Sequence, residues 1–241
     1  MADIDITARE DAADACARLS VCVDIVLMGV RKRAPCALLL RRGAAPFAGQ
    51  AALPGGFVGA GESLEDAAQR VLRDKAGLSD VRCEQLYTFG EVARDPRRRI
   101  VTVAWLALLA PAAIEAALEA HPGVLCATLA VPEADGVRDI HVVDRAGARL
   151  HLAFDHEQIL ALALERLRGK LDYTAVGFDL LPSFFTLRQL QDVHEAIRGT
   201  TLNKPAFRRR MIDKGWIAPT GARETGTSHR PAALYRFRDV T

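Results

Sequence analysis

Residues 56–78 read GFVGAGESLEDAAQRVLRDKAGL, a glycine-containing loop that runs into a helix. Ser63 is the residue type whose hydroxyl accepts from the free N–H groups of a helix start, and Gly77 the type that stops one. The helix carries Arg70, Val71, Asp74 and Lys75, a mixture of charge and bulk on one short segment. Upstream, Gly43 to Gly61 reads as one long loop containing Pro46 and Pro54. Before it lie two apolar runs, Val21–Val30 and Cys36–Leu40, separated by Arg31-Lys32-Arg33-Ala34-Pro35, which reads as a hairpin.

Downstream, Ile100–Leu109 predicts a strongly apolar strand and Ala112–Ala120 a helix. His141–Phe154 reads as a strand pair. Asp155 is the expected cap of a long helix to Lys170, with Ile159, Leu160, Ala163, Leu164 and Leu167 at helical spacing. His156 then reads as first-turn surface. Strands mixed with helices predict an α/β or α+β body. Residues 1–19 look like an acidic, alanine-rich leader.

At Leu180-Leu181-Pro182-Ser183 the pattern changes, so the expected domains are 1–181 and 182–241. Thr186 with Gln189 forms a capping box, and Leu187, Leu190, Val193, His194 and Ile197 give an amphipathic helix ending at Gly199. A second helix starts after Asn203, with Phe207 and Met211 as its core stripe and Arg209 and Arg210 mostly opposite. Ala233–Phe237 closes a β-hairpin whose tip holds Ser228, His229 and Arg230. Helix, turn, helix and hairpin is the winged-helix plan, in which the second helix enters the DNA major groove. Pro182–Thr241 carries a net +6 and Met1–Leu181 a net −4. A compact basic unit suits a polyanion, although a solvated basic face has the same composition. RNA is the weaker reading, because no exposed aromatic platform accompanies the arginines.

The 241 residues are 50% hydrophobic and 26% charged, which excludes disorder as the main state. The five cysteines (Cys16, Cys22, Cys36, Cys83, Cys126) are scattered and contain no CxxC, so a metal site is not expected. No apolar run reaches the ~18 residues of a membrane span, and the start lacks a basic signal region. A cytoplasmic protein without membrane contact is expected.

Gly56, five residues, Glu62, seven residues, Arg70, Leu72, Gly77 and Leu78 resemble the skeleton of the Nudix box, Gly-x5-Glu-x7-Arg-Glu-U-x-Glu-Glu-x-Gly-U with U bulky and apolar. The resemblance implies the Nudix α+β sandwich. In the family the three helical glutamates hold Mg²⁺, which clamps a diphosphate and activates water. Here those positions are Val71, Asp74 and Lys75. At an effective dielectric of ~20, a charge reversal beside the metal costs several kcal/mol of its binding. No catalytic or metal-binding residue and no cofactor are therefore expected. An active pyrophosphatase of the ADP-ribose type, with ligands from elsewhere, is the alternative. Lys75 is the candidate to contact phosphate directly, with an exposed surface lysine as the competing reading.

Tyr87-Thr88-Phe89-Gly90, Arg94-Asp95-Pro96-Arg97, Leu39-Leu40-Arg41-Arg42 and Pro46-Phe47-Ala48-Gly49 resemble the ADP-ribose-type branch of the Nudix family. Its usual Trp is replaced by Ala51. The implied ligand residues are Arg41, Phe47, Gly55, Gly56, Phe57, Lys75, Phe89, Arg94, Asp95 and Arg97, the arginines suiting phosphate. Phe185-Thr186-Leu187, Gln191–Ile197, Phe207-Arg208-Arg209 and Arg230–Phe237 resemble the C-terminal winged helix of the Nudix-related transcriptional regulators of NAD metabolism. That resemblance implies a homodimer on a palindromic double-stranded operator, repressing NAD-biosynthesis genes and released by ADP-ribose or a related nucleotide. Thr186, Lys204, Arg208, Arg209, Arg210, Ser228, His229 and Arg230 are the implied DNA contacts. Pro205 and Ala206 depart from the polar residues usual there.

Overall fold

The structure is a computed structural model that describes residues 19–79, 81–130, 140–225 and 231–238. The leader up to residue 18, Cys16 and the hairpin-tip residues Ser228, His229 and Arg230 lie outside the described residues.

The expected hairpin is β1 (Ser20–Arg31) and β2 (Ala34–Arg41), antiparallel in the register Leu27↔Leu38. Lys32 and Arg33 turn it with φ of 51° and 63°, the left-handed pair that matches strand twist in a two-residue turn. β1 also pairs in parallel with β6 (Ile100–Leu109) and in antiparallel with β4 (Gly55–Phe57), while β3 (Ala51–Ala52) adds to β2. With β5 (Cys83–Phe89), β7 (Val124–Ala130) and β8 (His141–Val143) they make an eight-stranded sheet, ordered β5-β6-β1-β2-β7-β8 along its main path.

Side chains alternate along β1, so both faces are apolar. Val23, Ile25 and Leu27 pack under α1 (Leu64–Val71) and α2 (Pro111–Ala120). Val26 and Met28 pack under α3 (His156–Lys170), against Ile159, Leu160, Ala163, Leu164 and Leu167. The result is a sheet between helical layers, as the Nudix sandwich requires. Leu164 is wholly buried, so truncating it to alanine costs about 2–5 kcal/mol.

α1 has the expected caps. The Ser63 side chain accepts from the Asp66 N–H, and Gly77 takes φ 64°. Its last turn, Leu72–Ala76, is π-helical, an irregularity frequent at functional sites. β3 and β4 fall inside the stretch read as one long loop, where sheet pairing with β2 and β1 overrides the glycine and proline content, and β5 and β7 were not expected either. β5 is an edge strand in which Leu86 alone is buried, so its sequence shows little alternation. The predicted strand pair at 141–154 is reduced to β8, a turn built on the Asp144 carboxylate, and bridges at Val143↔Arg149 and Ala51↔Leu152. Asp155 does not cap α3 with its side chain, and His156 is buried, not on the surface. Both are recruited by distant partners described below.

The small unit holds β9 (Phe185–Thr186), α4 (Leu187–Arg198), α5 (Lys204–Asp213), β10 (Ile217–Arg223) and β11 (Ala233–Phe237). Both bonds of the Thr186–Gln189 capping box form, and Asn203 caps α5. Phe207 and Met211 are buried, as their spacing predicts. Phe178, in the 3-10 turn Val176–Leu180, packs on Phe185 at 5.6 Å and Phe237 at 4.7 Å. The core of the small unit thus reaches upstream of Pro182 and is continuous with the layer under α3. At the hairpin tip of the body, Arg33 bonds Asp192 (3.0 Å) and Glu195 (3.4 Å) of α4.

Cys22, Cys36, Cys83 and Cys126 are free thiols, and burial pushes Cys22 and Cys83 up to about 11. Among the described residues no helix is long and apolar enough to cross a membrane.

Candidate nucleotide pocket and nucleic-acid interface

A cavity of about 510 Å³ opens at one end of β1 and β2. Five basic side chains (Arg41, Arg42, Lys75, Arg94, Arg97) and two acidic ones (Asp24, Asp95) line it, a balance that suits an anion. Gly55, Gly56 and Phe57 complete one wall. Gly55 lies opposite Asp24 in the β1–β4 register, and a Cβ there would come within 2.2 Å of the Asp24 Oδ1. Only glycine fits. Glu62 and Arg70, the retained box pair, fold the loop onto the helix. Arg70 donates to both Glu62 oxygens at 2.6 and 2.8 Å and to the Phe57 carbonyl at 3.0 Å. Arg70 and the Gly59 N–H hold the Glu62 carboxyl down at about 2.

Below the cavity lies a buried charge cluster. Arg94 donates to both Asp155 oxygens (2.8 and 2.7 Å) and to Asp24 at 3.3 Å. Its side chain is only 3% exposed. Burial opposes the charge, but Asp155 and Asp24 outweigh it and raise the guanidinium pKa. Arg94 thus lines the cavity as expected, but its Nε and Nη2 are committed to carboxylates, so its main work is to hold the pocket floor. The commitment also explains why Asp155 is not a helix cap. His156 accepts the Leu53 N–H at Nδ1 (2.9 Å), and its Nε2 lies 3.7 Å from Asp24. An accepting Nδ1 means that the neutral ring carries its proton on Nε2. Burial lowers its pKa, opposed by Asp24.

The upper wall is aromatic and cationic. Phe154 meets Phe47 edge-on at 4.9 Å, with the Arg42 guanidinium 4.7 Å and the Arg97 guanidinium 5.6 Å from its ring centre. Phe47 and Phe154 hold φ of 63° and 57°, a strained region for bulky residues that clusters at functional sites. Arg97 is positioned by Asp95 through bonds of 2.9 and 2.7 Å, with much of its side chain open to the cavity mouth. Lys75, which also lines the cavity, donates to the Gly55 carbonyl.

Of the ligand residues expected from sequence, Arg41, Gly55, Gly56, Phe57, Lys75, Arg94, Asp95 and Arg97 meet at this cavity, and Phe47 joins through Phe154. Phe89 does not form its wall; it is half-buried, edge-on to Tyr87 at 5.4 Å. Sequence reading missed Asp24, Arg42, Phe154 and His156 as lining residues. Asp24 had a usable signal, a lone carboxylate inside an apolar strand.

In the small unit, Lys204, Arg208 and Arg209 are exposed on α5. Arg210 is half-buried: it folds back over Phe207 (5.6 Å) toward Asp172 (3.7 Å), while Arg209 projects outward. Thr186 is corrected, because it is buried with its hydroxyl used by the capping box.

The sheet, the box and the appended helices define a Nudix-type body joined to a winged helix. Residues 18–160 match the NUDIX domain, and residues 177–237 match the NrtR DNA-binding winged helix domain. The chain is 36% identical over 217 residues, 89% of its length and 80% of the relative, to the "ADPR responsive transcriptional repressor NtrR" of Acinetobacter baylyi. It is 32% identical over 123 residues, 51% of its length and 62% of the relative, to an ADP-ribose pyrophosphatase of Methanocaldococcus jannaschii. Its fold matches Shewanella oneidensis NrtR, solved with a 27mer DNA, with a TM-score of 0.74, 34% identity, and coverage of 90% of this chain and 93% of that one. The chain belongs to the NrtR family of Nudix-domain proteins.

Proposed function

We propose that the chain is a DNA-binding transcriptional repressor of NAD biosynthesis or salvage genes, whose Nudix body senses ADP-ribose or a related NAD-derived nucleotide and releases DNA when it binds. The observation that carries this reading is the extent of the likeness. Identity to the repressor runs through body and winged helix, over 89% of the chain, whereas identity to the pyrophosphatase covers 51%. The reading includes a homodimer, because a palindromic operator mirrors two-fold symmetry. Lys204, Arg208 and Arg209 face the DNA, and the nucleotide lies between the Phe47–Phe154 wall and the cations Arg42, Lys75 and Arg97.

The same reading takes the body as a non-enzyme that needs no cofactor. Val71 and Lys75 occupy two of the three glutamate positions, and the retained Glu62 is bound by Arg70. Titrating a protein–operator complex with ADP-ribose, NAD and ATP in a mobility-shift assay tests the function. Dissociation by ADP-ribose at low concentration is expected, and indifference to all three nucleotides would refute the sensor. Incubation with ADP-ribose and Mg²⁺ or Mn²⁺ is expected to yield no AMP; steady AMP release would favour the pyrophosphatase.

A further inference from the structure

The Nudix box implies a divalent cation, and the residues of this chain do not fit one. Val71 is wholly buried among apolar side chains and offers no oxygen to a cation. Asp74 and Lys75 are both exposed, and Lys75, which keeps its ammonium on the Gly55 carbonyl at the cavity, has the wrong sign. Both Glu62 oxygens are taken by Arg70. Among the described residues no group of three His, Cys, Asp or Glu side chains could hold a metal. The hard oxygen that faces the box helix, the Gly55 carbonyl, is bonded by the Lys75 ammonium.

We propose that the Lys75 ammonium is a built-in replacement for the metal ion and binds the pyrophosphate of the ligand directly. This deepens the sensor reading and rests on it for the identity of the nucleotide. The ammonium is a compact point charge with three donors. One is used by Gly55, which fixes the group at the cavity wall and leaves two for phosphate oxygens. Arg97 and Arg42, gathered at the Phe154 ring, line the same cavity, so the ligand meets three cations. Burial lowers the lysine pKa and the Asp24 carboxylate opposes this, placing the group inside the field of the pocket. A fixed cation also separates sensing from turnover. It neutralises phosphate charge, but it carries no bound water to activate.

The test is calorimetry on the full chain with inorganic pyrophosphate and with ADP-ribose, each in EDTA and in Mg²⁺. The wild type is expected to bind equally well in both buffers. Lys75→Met is expected to lose about 10- to 100-fold in affinity for both probes, as for a lost charged hydrogen bond, and Lys75→Arg to recover most of it. Wild-type binding that requires Mg²⁺ would overturn the proposal without any variant. So would a Lys75→Met protein of unchanged unfolding midpoint that binds as the wild type does. Pyrophosphate binding that depends on Lys75, with no binding of ADP-ribose, would sink the nucleotide reading and leave Lys75 its role. ADP-ribose that binds Lys75→Met undiminished and releases DNA would do the reverse.

Discussion

The two ends of α3 each carry a cluster of arginine and carboxylate, and the two clusters are built in opposite senses. At the N-terminal end one guanidinium, Arg94, lies between two carboxylates, Asp155 and Asp24, all three nearly buried. Just past the C-terminal end one carboxylate, Asp172, faces two guanidiniums, Arg198 and Arg210, and its main-chain carbonyl takes Lys214. These groups are partly open to water. The first cluster balances its charges internally, so it organises the floor of a pocket. The second has a surplus of positive charge at the surface, which only an external anion can balance. Burial and stoichiometry separate the two clusters.

The largest effect is expected where the buried cluster is broken. Arg94→Ala leaves Asp24 and Asp155 in the interior without a counter-charge, which costs about 3–5 kcal/mol. Arg97→Ala, by contrast, leaves Asp95 the Arg97 main-chain N–H and a half-exposed site that water can enter, so it is expected to cost less stability than Arg94→Ala while weakening ADP-ribose binding. Urea unfolding and calorimetry on both variants measure the contrast. An Arg94→Ala protein with wild-type stability but no ligand affinity would make Arg94 a ligand contact after all.

The arginines show how far sequence carries. The β1–β2 hairpin, the caps at Ser63 and Gly77, the capping box at Thr186 and the Phe207–Met211 stripe were legible because each depends on residues within a few positions. The box located one wall of the pocket for the same reason. That Arg94 is held by two carboxylates was not legible, because its partners lie 70 and 61 residues away, beyond the reach of any local pattern. His156 looked like surface because the Leu53 N–H that it serves is 103 positions upstream. Phe89 and Thr186 failed in another way. Residues belonging to a recognised motif were given its function, although one is spent on packing and the other on a cap. β5 was missed because an edge strand with one buried residue has no period to read.

On the surplus side, Arg208→Ala with Arg209→Ala is expected to weaken operator binding by about 1–3 kcal/mol per side chain if they reach bases. Each phosphate contact removed lowers the slope of log K against log salt by about 1. Nucleotide binding should be unaffected. Mobility shifts at several salt concentrations give both numbers, and an unchanged slope would remove α5 from the interface.

Between these in depth lies His194, buried against Phe207 and held down at about 4 by burial and by Arg210 and Arg198. Its unfolded pKa is ~6.5, so below that pH the unfolded chain takes up a proton that the folded chain refuses. Stability is therefore complete above pH ~6.5 and falls as pH drops toward 4, by up to about 1.4 kcal/mol per unit for one histidine. His156, also lowered by burial, acts in the same direction. His194→Gln should flatten the slope between pH 7 and 5 in denaturant titrations. A variant with the wild-type slope would mean that His156 alone carries it.

The smallest effect tests whether the surplus is held in reserve. Asp172 is the carboxylate nearest Arg210, and DNA phosphates would compete with it for that guanidinium. Because the pair is exposed, its worth is within ~1 kcal/mol. Asp172→Asn keeps the size and main-chain carbonyl, so Lys214 keeps its partner, and only the charge is removed. Operator affinity is expected to rise by a few-fold, with the salt slope steepening by up to about 1 as Arg210 becomes free to meet phosphate. The pair Asp172→Asn and Arg210→Ala separates the two sources of such a gain. If the gain vanishes in the double variant, Arg210 is the cation that Asp172 restrains. If it persists, the gain is a general change of surface charge, and the cluster at this end of α3 serves packing as the buried one does.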